Sequence, residues 1–189
     1  MKIVVAGGLG VGKTTFVGAI SEVEPMLTEA VMTEGSVGVD DVAATPHKTT
    51  TTVATDFGRR TLDDELVLYL FGTPGQKRFW FLLEGLLKGA MGAVVLVDTR
   101  RLGDAFPYID RLEAEGLPFV VAHNVWAGED AAFTVKEIHQ ALQLDDDVPV
   151  VRCDARQLDS VRQVLIETVT RAYACGAALV AKEPDRVCS

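Results

Sequence analysis

An eight-residue segment near the amino end, residues 7–14, constrains the fold of this chain more than any other feature. Its sequence, Gly-Gly-Leu-Gly-Val-Gly-Lys-Thr, matches the pattern G-x-x-x-x-G-K-[ST] at every fixed position. An apolar run at residues 3–6 precedes it and helix-compatible residues follow it, which predicts a turn between a buried strand and a helix. Glycines allow the backbone to curl until successive N–H groups face one anion, and the helix dipole directs its positive end to the same point. The segment therefore predicts a cradle for phosphate groups.

The parts of this cradle have different expected tasks. Lys13 is expected to contact the β- and γ-phosphates of a nucleotide, and the Thr14 hydroxyl to ligate Mg²⁺. The alternative, a glycine-rich turn that binds nothing, is disfavoured because every fixed position and both flanks agree with the motif. The residues expected to bind the nucleotide here are Gly8, Leu9, Gly10, Val11, Gly12, Lys13, Thr14 and Thr15.

Short apolar runs alternate with segments of helical period, which is typical of a mainly parallel sheet covered by helices on both faces. Strands are predicted at residues 3–6, 52–57, 66–71, 93–98, 119–123 and 148–152. Helices are predicted at residues 13–20, 76–88, 104–116, 134–142 and 159–174. The second and third strands are too close in sequence for a crossover helix, so they should form an antiparallel hairpin. The predicted fold class is α/β. The expected architecture is a P-loop nucleoside triphosphatase fold, with a six-stranded, mostly parallel sheet and one antiparallel edge strand.

Length and composition indicate one soluble domain. We predict a domain at residues 1–176 and a short C-terminal extension at residues 177–189. The formal charge of −9 and the sequence pI of about 4.8 oppose binding to nucleic acid or anionic lipid. No apolar stretch reaches the roughly 18 residues of a membrane helix, and the scattered cysteines indicate a reducing compartment. We therefore expect a cytoplasmic protein without an integral membrane segment or a nucleic-acid partner.

Further motifs follow the cradle in the order found in small Ras-like GTPases, and the chain resembles that family. The sequence Gly-Thr-Pro-Gly-Gln at residues 72–76 resembles the D-x-x-G-Q element, which implies that the Gly75 N–H meets the γ-phosphate and that Gln76 orients the attacking water. The sequence Thr-Val-Ala-Thr-Asp-Phe at residues 52–57 resembles the T-I-G-V-D-F element of Rab proteins. This makes Thr52 a second candidate ligand of Mg²⁺. The fold that the resemblance implies is the Ras-like G domain.

Two more elements of the Ras pattern concern the purine base. Asn124 stands at the start of the N-K-x-D element, and residues 153–156 stand where S-A-K would place a backbone N–H on the guanine oxygen. The residues that the resemblance assigns to the base are Asn124, Asp154, Ala155 and Arg156.

Three departures from the Ras pattern leave alternatives open. Gly72 stands where a magnesium-supporting Asp is found, so the metal would rest on hydroxyls, phosphates and water alone, with weaker charge stabilisation. Leu9 stands where Ras-like enzymes keep a glycine near the γ-phosphate, which predicts slow turnover. Ala127 replaces the carboxylate that accepts from guanine and rejects adenine, so GTP is favoured by resemblance alone. The alternatives are a nucleotide-holding scaffold without hydrolysis and a P-loop ATPase with relaxed purine specificity.

Longer stretches resemble Ras-like proteins of bacterial signalling operons. Residues 48–53, 68–80 and 97–102 are similar to the actinobacterial conservon ATP/GTP-binding proteins, and gliding-polarity GTPases share the Pro-Gly-Gln sequence. The resemblance implies a signalling switch that binds GTP and GDP with Mg²⁺ and hydrolyses GTP slowly. It also implies a roadblock/LC7-type partner and a sensor-kinase complex, through which any membrane contact would be peripheral. The long, weakly periodic segment at residues 22–52 would respond to loss of the γ-phosphate.

Overall fold

The structure is a computed structural model that describes residues 1–24, 29–31, 50–52, 56–75, 81–126 and 133–182. For residues 29–31, 50–52, 81 and 177–182 it describes the backbone alone. The strands are β1 (Lys2–Ala6), β2 (Glu29–Val31), β3 (Thr50–Thr52), β4 (Asp56–Thr61), β5 (Val67–Gly72), β6 (Gly92–Val97), β7 (Phe119–Asn124) and β8 (Val150–Cys153). The helices are α1 (Lys13–Ile20), α2 (Phe81–Leu87), α3 (Phe106–Ala114), α4 (Val135–Ala141) and α5 (Leu158–Lys182), with a 3-10 helix at Thr99–Ala105.

Six strands form one sheet in the order β4–β5–β1–β6–β7–β8. All neighbours run parallel except β4, which pairs antiparallel with β5 at the edge. This confirms the predicted mostly parallel sheet, its antiparallel edge strand and the hairpin between the second and third predicted strands. Strands β6 and β7 are buried at every residue, as expected of apolar runs with helices on both sides. Because parallel strands end at the same edge, the loops after β1, β6, β7 and β8 converge there.

Each face of the sheet packs against its own helices, which confirms the prediction of helices on both faces. On one face α1 and α5 enclose a core that includes Val5 and Val161, both fully buried. On the other face α2, α3 and α4 enclose a core that includes Val95 and Leu112. Burial of each such side chain contributes about 1.5–3 kcal/mol. The two cores hold the sheet, and with it the loops at its carboxyl edge, in one arrangement.

The strand predicted at residues 52–57 is wrong in its bounds. The backbone at Thr50–Thr52 forms β3, which pairs antiparallel with β2 in a separate two-stranded sheet. The strand that pairs with β5 begins at Asp56 and continues to Thr61, through a glycine that strand propensity disfavours. Pairing with β5 therefore outweighs local propensity. The segment at residues 22–52 includes two short strands, and most of its other residues lie outside the described ranges.

Several helix ends also differ from prediction. The helix predicted from residue 104 starts as the 3-10 helix and becomes α-helical only at Phe106. Helix α5 continues to Lys182, past its predicted end at residue 174. It therefore extends into residues 177–189, which were predicted to be a short C-terminal extension. Among the described residues, no helix combines the length and the apolar character needed to cross a membrane.

Candidate nucleotide site

The cradle at residues 7–14 joins β1 to α1. Helix α1 begins at Lys13, directly after Gly12, whose φ of 105° lies in the left-handed region that favours glycine. The Lys13 ammonium donates hydrogen bonds of 2.8 Å to the Gly7 carbonyl and 2.7 Å to the Gly8 carbonyl, and the residue is 8% exposed. A buried ammonium beside a curled backbone and a helix amino end favours binding of an anion. This is the geometry that the sequence motif predicts.

A carboxylate that the sequence analysis missed lies beside the cradle. The Thr14 hydroxyl donates a hydrogen bond of 2.8 Å to Oδ2 of Asp56 at the start of β4. Asp56 is 1% exposed. Burial of a carboxylate is costly unless hydrogen bonds or a cation compensate it. The placement of Asp56 against the threonine of the cradle therefore indicates a functional role.

Asp56 occupies the space that a side chain at Gly72 would need. The two residues are direct partners in the antiparallel register of β4 and β5. A methyl group added at Gly72 would lie 2.8 Å from Oδ2 of Asp56 and 3.0 Å from its Cβ. The neighbouring strand thus places a carboxylate beside position 72, which has none itself. The sequence analysis did not include this carboxylate among the groups that would support the metal. Only the hairpin register, which places residues 56 and 72 opposite each other, could have given this signal.

The residues at this point fit a magnesium ion. Mg²⁺ prefers hard oxygen ligands, usually one or two carboxylates together with phosphate oxygens and water. The Thr14 hydroxyl and the Asp56 carboxylate form such a donor set, 2.8 Å apart, with Asp56 buried and Thr14 partly exposed. Thr52, the other predicted ligand, is described only by its backbone in β3. Its role as a ligand stays a prediction.

The loop after β5 lies directly against the cradle. A methyl group added at Gly75 would lie 2.9 Å from Leu9 Cα and 3.1 Å from Lys13 Nζ. The buried Tyr108 hydroxyl of α3 donates a 3.3 Å hydrogen bond to the Pro74 carbonyl and so fixes this loop from the other side. The structure therefore brings the predicted γ-phosphate sensor, Gly75, to the predicted phosphate-binding lysine.

The other predicted site residues differ in what the structure describes of them. Gln76, the residue predicted to orient water, lies outside the described residues, and its role stays a prediction. Thr15 is exposed on α1, whereas Leu9 and Val11 are buried within the cradle.

Asn124 connects the cradle to the loop after β8. Its Nδ2 donates to the Val11 carbonyl at 2.9 Å, and its Oδ1 accepts from the Ala155 N–H at 3.0 Å. Asn124 is 4% exposed. The side chain therefore braces two loops of the site against each other. The sequence-predicted residues Asn124 and Ala155 meet at the same place as the cradle.

The backbone of the loop after β8 is already hydrogen-bonded within the protein. The Asp154 N–H donates to Ser160 Oγ at 2.9 Å, and the Arg156 N–H donates to Asp154 Oδ1 at 3.0 Å. With Ala155 bonded to Asn124, all three N–H groups have protein acceptors. The N–H that the resemblance assigns to the guanine oxygen is thus engaged in this structure.

The side chains of this loop form an ion pair. Arg156 donates through Nε and Nη2 to the two carboxylate oxygens of Asp154, at 2.8 and 2.7 Å. These hydrogen bonds hold the pKa of Asp154 below its ordinary value, so the group is a carboxylate at neutral pH. The pair presents both a hydrogen-bond acceptor and a donor at the rim of the site.

The loop after β6 contains a second such pair. Arg100 donates to both carboxylate oxygens of Asp98, and its guanidinium lies 5.1 Å from the centre of the Trp126 ring. Burial raises the pKa of Asp98, but hydrogen bonds from Arg100 and a contribution from the Trp126 indole outweigh it, so the pKa lies below its ordinary value. This arrangement places the Arg100 guanidinium over the Trp126 ring.

Comparison with known proteins agrees with this geometry. Residues 5–175 match the profile of a family described as "Conserved hypothetical ATP binding protein". The protein MJ1339 of Methanocaldococcus jannaschii is 32% identical over 126 residues, which are 66% of this chain and 69% of that protein.

Solved GTPase structures share the fold. The Arl6 BBS3 small GTPase of Trypanosoma brucei, solved with the nucleotide analogue GppNp, superposes with a TM-score of 0.65 at 18% identity, covering 92% of this chain and 98% of that one. A single-residue variant of Aquifex aeolicus Era, solved with GDP and AlF₄⁻, gives a TM-score of 0.63 at 16% identity, covering 88% of this chain and 56% of that one. The fold is that of a P-loop G domain, and the profile spans nearly the whole of it. The chain belongs to the family of conserved hypothetical ATP-binding proteins.

Proposed function

We propose that the chain is a small GTP-binding protein that acts as a GTP/GDP-controlled signalling switch and hydrolyses GTP slowly with Mg²⁺. The observation that carries this proposal is the meeting of two other parts of the chain with the cradle. The Asp56 carboxylate contacts the Thr14 hydroxyl, and the Gly75 loop lies against the Lys13 ammonium. A phosphate-binding turn alone would need neither the carboxylate nor the loop.

Positioning and charge neutralisation dominate phosphoryl transfer, so the chain has little covalent chemistry to perform. Lys13 and the cradle amides would hold the β- and γ-phosphates while the Gly75 N–H donates to the γ-phosphate. Gln76 would place a water in line with the bond to be broken. The water oxygen bonds to the γ-phosphorus as the bond to the β-phosphate oxygen breaks, which gives GDP and phosphate. A bound Mg²⁺, held by Thr14, Asp56 and Thr52, would neutralise charge on the phosphate oxygens.

The switch would operate through the segments that contact the γ-phosphate. Loss of the γ-phosphate would release Gly75 and Thr52, and such an order–disorder change alters the surface that a partner protein contacts. The acidic composition favours a protein partner over nucleic acid. By resemblance we infer a conservon-type GTPase that works in the cytoplasm with a roadblock/LC7-type protein and a sensor kinase.

Single-turnover phosphate release from GTP tests hydrolysis. We expect slow release that requires Mg²⁺, and release about 100-fold slower in Gln76→Ala, because a misplaced water loses its in-line position. Gln140→Ala, an exposed glutamine on α4, is the matched control and should leave the rate unchanged. Wild-type protein that binds GTP without release above background would contradict hydrolysis and establish the nucleotide-holding scaffold.

A second candidate function is ATP binding and hydrolysis. The description of the family and the absence of a carboxylate at Ala127 favour it. Equilibrium titration with fluorescent GDP and ADP separates the two. We expect GDP to bind more tightly; equal or tighter binding of ADP would overturn the assignment to guanine nucleotides.

A further inference from the structure

One peptide unit in the loop after β5 contains both the Pro74 carbonyl and the Gly75 N–H. The carbonyl accepts a hydrogen bond of 3.3 Å from the hydroxyl of Tyr108, a buried residue of α3. The unit is trans, and the C=O and N–H of a planar trans peptide point in opposite directions. Because the carbonyl is directed at Tyr108, the Gly75 N–H is directed away from it.

Gly75 itself lies against the cradle. A methyl group added at its Cα would be 2.9 Å from Leu9 Cα and 3.1 Å from Lys13 Nζ. The Tyr108 hydroxyl and the phosphate-binding lysine therefore contact the same short loop, the first through the Pro74 carbonyl and the second beside Gly75. A change in the direction of this peptide unit changes what the loop presents to a phosphate group held by Lys13.

Few backbone torsions are left to set the direction of the Gly75 N–H. The Thr73 N–H donates to the Val5 carbonyl at 2.8 Å, which anchors the start of the loop to β1. As the residue before a proline, Thr73 favours extended backbone, and the ring of Pro74 holds its φ near about −65°. Rotation about ψ of Pro74 is therefore the main freedom that turns the peptide unit. The hydrogen bond from Tyr108 restrains that rotation.

The hydroxyl of Tyr108 does something that packing does not require. The residue is 3% exposed and belongs to the apolar core between the sheet and α2, α3 and α4, where a phenylalanine ring would fill the same space. A buried tyrosine hydroxyl needs a hydrogen-bond partner. The 3.3 Å separation is longer than the about 2.5–3.0 Å usual for O–H···O bonds, so a small movement of the loop strengthens or breaks the bond. The hydroxyl therefore responds to the position of the loop.

We propose that Tyr108 is a positioning residue that turns the Gly75 N–H toward the γ-phosphate of a bound nucleoside triphosphate. The inference rests on the proposed function, in which this N–H donates to the γ-phosphate. A nucleoside diphosphate has no γ-phosphate, so its binding does not need this orientation. Tyr108 keeps the peptide in the binding orientation before the nucleotide arrives, and such preorganisation raises affinity for the triphosphate alone.

Titration of Tyr108→Phe with the GTP analogue GppNp and with GDP, both in the presence of Mg²⁺, tests the inference. The variant keeps the ring in the core and removes only the hydroxyl. The affinity for GppNp should fall about 3- to 10-fold, as expected for the loss of one hydrogen bond, and the affinity for GDP should not change. Tyr173→Phe removes the same group from an exposed position on α5 and is the matched control, which should alter neither affinity.

A double variant shows whether Tyr108 acts through Gly75. Gly75→Ala places a Cβ 2.9 Å from Leu9 Cα, which displaces the loop from the cradle and should itself weaken binding of GppNp relative to GDP. If Tyr108 acts through the Pro74–Gly75 peptide, adding Tyr108→Phe to Gly75→Ala should lower the GppNp-to-GDP affinity ratio no further. Fully additive effects of the two substitutions would show that Tyr108 acts by another route and would overturn the inference.

The outcomes separate this inference from the function on which it rests. Wild-type protein that binds neither GppNp nor GDP contradicts the proposed function, and this inference with it. Protein that binds both, with an affinity ratio that Tyr108→Phe leaves unchanged, overturns only the role of Tyr108. An equal loss of affinity for the two nucleotides leads to the same conclusion, because it indicates a structural role alone. Thermal melting of each variant without nucleotide shows that the variants compared are folded.

Discussion

At the scale of single residues, the buried Asp56 carboxylate leads to the most specific prediction about the site. Asp56→Asn preserves the shape of the side chain and removes its charge. We expect Mg²⁺-dependent GDP affinity to fall by about 10-fold or more, because hydrogen bonds and contacts to a charged group contribute about 1.5–3 kcal/mol. When Mg²⁺ is removed by excess chelator, the GDP affinity of this variant should differ little from that of the wild type. Isothermal titration with and without Mg²⁺ makes the comparison.

The control for this variant is Asp63→Asn, in the turn between β4 and β5. Asp63 accepts backbone N–H groups of Glu65 and Leu66, and an Asn oxygen can replace it. The control should bind GDP as the wild type does in both conditions. If Asp56→Asn retains the full Mg²⁺ dependence, the metal-supporting role assigned to Asp56 is wrong.

The close approach of Gly72 to Asp56 leads to a second residue-scale prediction. Gly72→Asp forces a Cβ to within 2.8 Å of Oδ2 of Asp56 and places two carboxylates side by side. We expect a loss of about 1–3 kcal/mol in the free energy of unfolding, as for overpacked sites. The double variant Asp56→Gly with Gly72→Asp removes the clash and should recover most of this loss. Urea denaturation measures both; a double variant no more stable than Gly72→Asp would argue against the steric explanation.

Single residues were predictable where one motif contains them. Lys13 and Thr14 lie in a contiguous motif with a fixed geometry, and Asn124 lies at a strand end that must meet the cradle. The role of Asp56 was not predictable in this way, because it depends on which residue of another strand lies opposite Asp56. Register is a property of the pair of strands, and a shift by one residue would turn Asp56 to the opposite face.

At the scale of elements, the outer edge of β4 is covered by the residues that follow α1. Glu22 donates its N–H to the Arg59 carbonyl, and its carboxylate accepts from the Thr61 N–H and hydroxyl and from the Arg59 guanidinium. Ser21 Oγ accepts from the Arg59 N–H. Edge strands expose unpaired backbone groups that favour aggregation unless they are covered. These bonds therefore protect the strand that contains Asp56.

The coverage of this edge should depend on pH. Hydrogen bonds from Thr61 lower the pKa of Glu22 below its ordinary value of 4.5. The stabilisation is therefore present above about pH 4.5 and disappears as the pH falls through the lower pKa of the folded state. We expect Glu22→Ala to lower the melting temperature at pH 7 and to have a smaller effect at about pH 3. Glu24→Ala is the matched control; an equal effect of Glu22→Ala at both pH values would contradict the account.

Elements were predictable where burial alone decides them. Strands β6 and β7 are apolar throughout because both faces are covered, and this pattern is visible in the sequence. The threonine run at residues 49–52 has high strand propensity, but propensity does not state which partner a strand takes. Thr50–Thr52 pairs with β2, while Asp56–Thr61 pairs with β5. Long-range pairing therefore set these boundaries.

At the scale of the whole molecule, the candidate site is assembled from distant parts of one sheet. The cradle follows the central strand β1, Asp56 comes from the edge strand β4, and Asn124 ends β7. None of these contacts can survive unfolding of the sheet. Binding of a nucleotide should therefore be coupled to global stability and not to one local segment.

This coupling gives a last prediction. A ligand that binds only the folded state at 100 times its Kd adds about 2.7 kcal/mol to the free energy of unfolding. For a chain of 189 residues that corresponds to a rise of about 5–10 °C in melting temperature. Mg²⁺ with GDP should produce this rise, and chelation of Mg²⁺ should reduce it. Lys13→Ala should abolish it, because the ammonium that holds the phosphates is gone, whereas Lys136→Ala on the exposed side of α4 should not. An unchanged rise in Lys13→Ala would show that the nucleotide binds elsewhere, and no rise in the wild type at saturating nucleotide would contradict binding altogether.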